Sequence, residues 1–91
     1  MVEKYTICIR TKDDTFFKLG PFTLYGKLKK RDIRSAIRTM FSVKGEPTFP
    51  STEVEEIVVV IADKYYVEIL EVKISSVWPK EFDKIKEVKN T

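Results

Sequence analysis

The stretch "EEIVVVIADKYYVEILEVKI", Glu55 to Ile74, decides the fold. Ile57 to Ala62 is an unbroken apolar run, a pattern shared by buried helices and buried strands. Three features favour the strand: the run is short, nearly every member is β-branched, and Asp63-Lys64 ends it with turn chemistry. Continuous apolarity further predicts a central strand buried on both faces. Tyr65 to Ile74 is again rich in β-formers and reads as the returning arm of a hairpin.

Toward the N-terminus, "GEPTFPSTE" is a loop with prolines at 47 and 50. Its P-x-x-P spacing matches a recognition motif in form, but the expectation is a stiffened loop that tucks Phe49 onto the core. Before it, Ile33, Ala36, Ile37, Met40 and Phe41 fall at i, i+3, i+4, i+7 and i+8, which predicts a helix with one apolar stripe. Gly45 and Pro47 are its expected stop. Earlier still, Lys4 to Lys12 alternates Tyr5, Ile7 and Ile9 with Thr6, Cys8 and Arg10, which predicts a strand. Asp13-Asp14 supplies a turn, and Thr15 to Tyr25 returns. Gly20-Pro21 interrupts that return, so the strand sits at an edge or carries a bulge. On it Phe17, Leu19, Phe22 and Leu24 are expected to face the core, with Phe16, Thr23 and Tyr25 facing out. Beyond the second hairpin, Trp78-Pro79 breaks the chain and "PKEFDKIKEVK" spaces Phe82, Ile85 and Val88 for a short C-terminal helix.

The order is ββα-ββα. It predicts an α+β fold, one domain over residues 1–91, with about four mostly antiparallel strands in one sheet and the main helix on one face. The predicted core joins the helix stripe to Ile7, Ile9, Ile57, Val59 and Ile61.

Charge is segregated along the chain. The total is only +3. Residues 27–45 carry seven basic groups and one acidic, whereas residues 46–71 carry one basic and seven acidic. In "KLKKRDIRSAIRTMF", Lys27 to Phe41, Lys27, Arg31, Arg34 and Arg38 form one stripe if the helix begins early. Lys29, Lys30 and Arg31 crowd the helix start, the positive end of its dipole, with Asp32 the only acid able to cap it; if Asp32 is itself the N-cap, Lys27 to Arg31 form a basic loop leading into the helix. Cations and unpaired N–H groups converging there favour an anion, phosphate first. Three of the four arginines lie in this segment, and arginine grips phosphate through a planar fork. Tyr25 adjoins it and could stack on a base or cover the helix start. Two other readings use the same charges. The cations could pair within the chain with Glu53, Glu55, Glu56, Glu68 or Glu71, or the basic helix of one copy could lie on the acidic hairpin of another in a homodimer.

Catalytic and cofactor motifs are missing. There is no histidine, no phosphate-binding glycine loop and no nucleophile elbow, so the chain reads as neither an enzyme nor a holder of a metal or other cofactor. The lone Cys8 forms no internal disulfide and reads as a half-buried strand thiol. No apolar run reaches the length of a membrane span, and the charged, alternating N-terminus is unlike a signal peptide, so the expected location is the cytoplasm. Glutamine is absent, asparagine occurs only at Asn90, and lysine, glutamate, isoleucine and valine abound. That usage resembles small proteins of hyperthermophilic archaea or their viruses.

Two functions fit. One is a nucleic-acid-binding module that contacts phosphates through Lys27, Lys29, Lys30, Arg31, Arg34 and Arg38, with Tyr25 beside them. The other is a non-enzymatic interaction or regulatory factor, encoded by an archaeal virus and acting in the host cytoplasm, that binds an acidic protein through its charged faces.

Overall fold

The computed structural model describes residues 2–43, 46–47 and 49–84. In chain order it has β1 (Glu3–Thr11), β2 (Phe16–Leu24), α1 (Lys30–Met40), β3 (Ser42–Val43), β4 (Glu46–Pro47), β5 (Val54–Ala62), β6 (Val67–Val72) and α2 (Ile74–Val77), with 3-10 turns at Ser51–Glu53 and Lys80–Lys84. Four strands form one antiparallel sheet in the order β2-β1-β5-β6, and β3 pairs β4 in a small hairpin. This is an α+β fold with the expected element order. The expected helix stop at Gly45 and the apolar positions Ile85 and Val88 lie outside the described residues.

Both turns of the main sheet are held by aspartates. At the first, Asp13 Oδ1 accepts from the Thr11 hydroxyl and from the Thr15 N–H, and Asp14 takes a left-handed φ of 66°. Asparagine and aspartate tolerate that region better than other side-chain-bearing residues. The Thr11 and Thr15 hydrogen bonds also hold the Asp13 carboxyl below its usual range. At the second, Asp63 Oδ1 accepts from the N–H groups of Tyr65 and Tyr66 at 2.7 and 3.0 Å. β2 is both an edge strand and bulged. Tyr5 pairs with Phe22 and Ile7 with Leu19, so Gly20 and Pro21 together face the single residue Thr6. Gly20 has φ +112°, and a Cβ there would stand 3.0 Å from the Phe22 ring and 3.1 Å from the Tyr5 carbonyl oxygen.

The core lies between α1 and one face of the sheet. Ile33, Ile37 and Phe41 pack on Ile7, Ile9, Leu19, Ile57, Val59 and Ile61. Phe41 stands at the centre of an aromatic cluster with Phe17, Phe49 and Trp78, and Trp78 in turn touches Phe82. The Trp78 indole N–H donates to the Phe49 carbonyl at 3.0 Å, which fixes the proline loop on the core as expected.

Three expectations are corrected. Met40 is 56% exposed rather than buried. It is the last residue of α1 and lies on the flank beside Tyr5 and Phe22, past the end of the covered stripe. β5 is central, but only its helix-facing residues are fully buried; Val58 and Val60 are half-exposed because no described helix covers the sheet's other face. The returning strand stops at Val72, and Ile74 opens a single helical turn instead of ending the strand. That turn brings Val77 and Trp78 into the core.

Candidate nucleic-acid interface

Lys29 is the N-cap of α1, with extended backbone angles, and Asp32 sits at the third helical position. The Asp32 carboxylate accepts the Lys29 N–H at 3.0 Å. A lysine ammonium has no lone pair to return the favour, so this is half of a capping box. Asp32 is therefore not the N-cap, and Lys27 lies outside the helix. The four-residue stripe anticipated from spacing shrinks to Arg31, Arg34 and Arg38.

The structure divides the predicted residues into three sets. Lys29 and Lys30 line a cleft of about 300 Å³ between the start of α1 and the end of β6. Its apolar floor is Leu28, Ile33, Leu70 and Val72, and Lys73, Ser76 and Glu71 complete the rim. Arg34 and Arg38 line a second cleft of about 310 Å³ with Ser75, Trp78, Lys80 and Glu81. The α2 turn separates the two clefts, with Ser76 in one and Ser75 in the other. Lys27, Arg31 and Tyr25 are exposed and line neither. Tyr25, at 86% exposure, leaves its ring uncovered.

Arg34 and Arg38 do not simply point to solvent. The Arg34 Nη2–H donates to the Ser76 carbonyl at 2.8 Å, and the Arg34 side chain is half-buried. The Arg38 Nε–H donates to Glu81 Oε2 at 2.5 Å. That hydrogen bond, with the guanidinium charge behind it, holds the Glu81 carboxyl below its usual range. Both arginines thus tie α1 to the segment after β6. Intrachain pairing is real, then, but its partners are Ser76 and Glu81. Among the described residues, the acids of the β5–β6 hairpin make one ion pair, Glu56 with Arg10, and none with the basic segment.

Lys27, Lys29, Lys30 and Arg31 have no ion-pair partner among the described residues. Lys73 joins them in space, exposed at the rim of the first cleft. It was missed from sequence because a lone lysine after a strand carries no local signal; the end of β6 sets it beside Lys29 and Lys30. Lys80 joins Arg34 and Arg38.

What the arrangement can do is bind anions over an apolar floor. Cations at the rim would meet phosphates, and the floor of Leu28 and Leu70 would meet an apolar or aromatic group. Among the described residues, no three acidic or cysteine side chains gather as a metal site, and Asp13 and Asp14 are committed to their turn. No described helix is long and apolar enough to cross a membrane. No family model matches the chain, and neither a curated protein nor a solved structure does.

Proposed function

We propose that this chain is a small, non-enzymatic nucleic-acid-binding module of the cytoplasm. It grips phosphates through Lys27, Lys29, Lys30, Arg31 and Lys73, with Arg34 and Arg38 shaping the surface beside them. The observation that carries this reading is the group of exposed cations near the start of α1, free of ion pairs among the described residues, three of which, Lys29, Lys30 and Lys73, rim a cleft with an apolar floor. Crowding like charges is unfavourable by a few tenths of a kcal/mol per neighbouring pair. A counter-anion relieves that repulsion, and a polyphosphate backbone supplies anions in series while releasing its own condensed cations. Readout of base sequence is not part of the proposal, because most of the contacts would be to backbone.

The test is binding of fluorescently labelled duplex DNA, single-stranded DNA and RNA at low salt, read by anisotropy. The proposal expects at least one of them to bind, with unrelated sequences bound alike. Failure to bind any of the three would overturn it.

A second reading is favoured by the apolar floor of the same cleft. Leu28, Ile33, Leu70 and Val72 under a basic rim would also suit an acidic, amphipathic segment of a protein partner, as expected of a virus-encoded regulatory factor in its host's cytoplasm. That factor would ignore nucleic acid at low salt and retain an acidic partner.

A further inference from the structure

No described element covers the second face of the sheet, and its charges are ordered. Residues paired directly across an antiparallel ladder project to the same side. Lys18 pairs with Cys8, Cys8 with Val58, and Val58 with Glu71, so these four form one row across all four strands. The next row is Thr6, Val60 and Ile69, and the next is Lys4, Ala62 and Val67. None of these belongs to the buried core. Val67 and Ile69 are 62% and 67% exposed. The face therefore has an apolar centre, lysines on the β2–β1 half and Glu71 on the β6 edge, and the row beyond Lys18 and Glu71 holds Arg10 paired with Glu56. Lys18 and Glu71 have no ion-pair partner among the described residues.

We propose that this face is covered by a second copy of the chain, related by a two-fold axis parallel to the strands. Such an axis reverses strand order and keeps each row at its own level. β2 of one copy then lies over β6 of the other, and β1 over β5. Lys18 of each copy meets Glu71 of its mate, twice, at opposite rims of the contact, while Cys8 meets Val58 and Thr6 meets Val60 between them. The other in-plane axis, across the strands, would set β2 on β2 and β6 on β6 and bring like charges together. Charge pattern thus selects one of the two face-to-face dimers. Aligned sheets pack about 10 Å apart with their strands crossed by about 30°.

The area is adequate. Four strands about 4.8 Å apart and about eight residues long at roughly 3.3 Å each present about 500 Å². Two such faces bury about 1,000 Å², the low end for a specific interface. The cations of the helix-side clefts stay on the outer surfaces, and Glu71, on the edge strand, is the one residue shared by the contact and the rim of the first cleft.

The experiment is sedimentation equilibrium from about 1 to 200 µM at low salt, on the wild type and on Lys18→Glu, Glu71→Lys and the double exchange. Both positions are exposed strand surface, and circular dichroism confirms that each variant is folded. The wild type should dimerise, each single exchange should raise the dissociation constant at least tenfold by opposing like charges, and the double exchange should return it to within about threefold. A wild type that stays monomeric overturns the proposal. Single variants that dimerise like the wild type would place the contact elsewhere, and a double variant that stays weak would rule out the strand-parallel axis; either result overturns it too.

Discussion

Replacing Arg34 and Arg38 by alanine should destabilise the fold. The Arg34 guanidinium donates to the Ser76 carbonyl at 2.8 Å in a half-buried setting. Hydrogen bonds with one charged partner contribute about 1.5–3 kcal/mol, and partial exposure brings this one to about 1.5. Arg38 and Glu81 form an ion pair whose side chains are 45% and 48% exposed, so solvent screening limits it to about 0.5 kcal/mol. The arginines touch different partners, Ser76 and Glu81, and their losses should roughly add to about 2 kcal/mol. For a domain of this size that lowers Tm by about 8–16 °C. Thermal unfolding followed by circular dichroism measures it, with Lys29→Ala/Lys30→Ala as the control. The control removes two cations that lack protein partners and should shift Tm by no more than about 3 °C. A double-arginine variant that melts within about 2 °C of wild type would show that these contacts do not fasten α1 to the C-terminal segment.

Three further outcomes follow from the fold. Gly20→Ala should cost about 1–2 kcal/mol in urea unfolding, because φ is +112° and the new Cβ would press on Phe22 and the Tyr5 carbonyl. Phe41→Ala should cost about 3–5 kcal/mol, since it empties the centre of the Phe17, Phe49 and Trp78 cluster; a loss under about 1.5 kcal/mol would mean that cluster is not the core's anchor. The hydrogen bond from Arg38 holds the Glu81 carboxyl below its ordinary value of 4.5, so the contribution of its pairing to stability is present above that pH and is lost as pH falls through the lowered value. Wild type should therefore lose more stability than Arg38→Ala on acidification below about pH 4.5; parallel curves would contradict the pairing.

Most of the fold was legible because periodicity and turn chemistry agree along the chain. Alternation in β1, the helical stripe of Ile33, Ile37 and Phe41, and aspartates at both hairpin turns all point to one answer. The misses have physical causes. An apolar β-branched run signals a central strand, but it does not reveal whether both faces are covered, so the expected burial on both faces fails at Val58 and Val60. Met40 obeys the stripe's spacing, yet a helix of 11 residues can run past the surface it covers. The site was half legible. Charge density singled out residues 27–38, because that signal is local. The partners of Arg34 and Arg38 lie 42 and 43 residues away, Lys73 is placed by the end of β6, and Lys80 arrives only through the turn after it. No spacing rule encodes those meetings. Nor does charge pattern reveal which cations are already taken: of the three arginines suited to phosphate, the fold uses Arg34 and Arg38 and leaves Arg31.

The central claim is that the cations left unpaired near the start of α1 hold phosphates, and salt dependence tests it most directly. Five contacts, from Lys27, Lys29, Lys30, Arg31 and Lys73, give an expected slope of log affinity against log salt of about −4 to −5 on duplex DNA. The variant Lys29→Ala/Lys30→Ala/Lys73→Ala should flatten that slope by about two to three and weaken unrelated sequences equally, with its melting temperature nearly unchanged. A wild-type slope near zero, or a triple variant whose slope matches the wild type, would contradict the account.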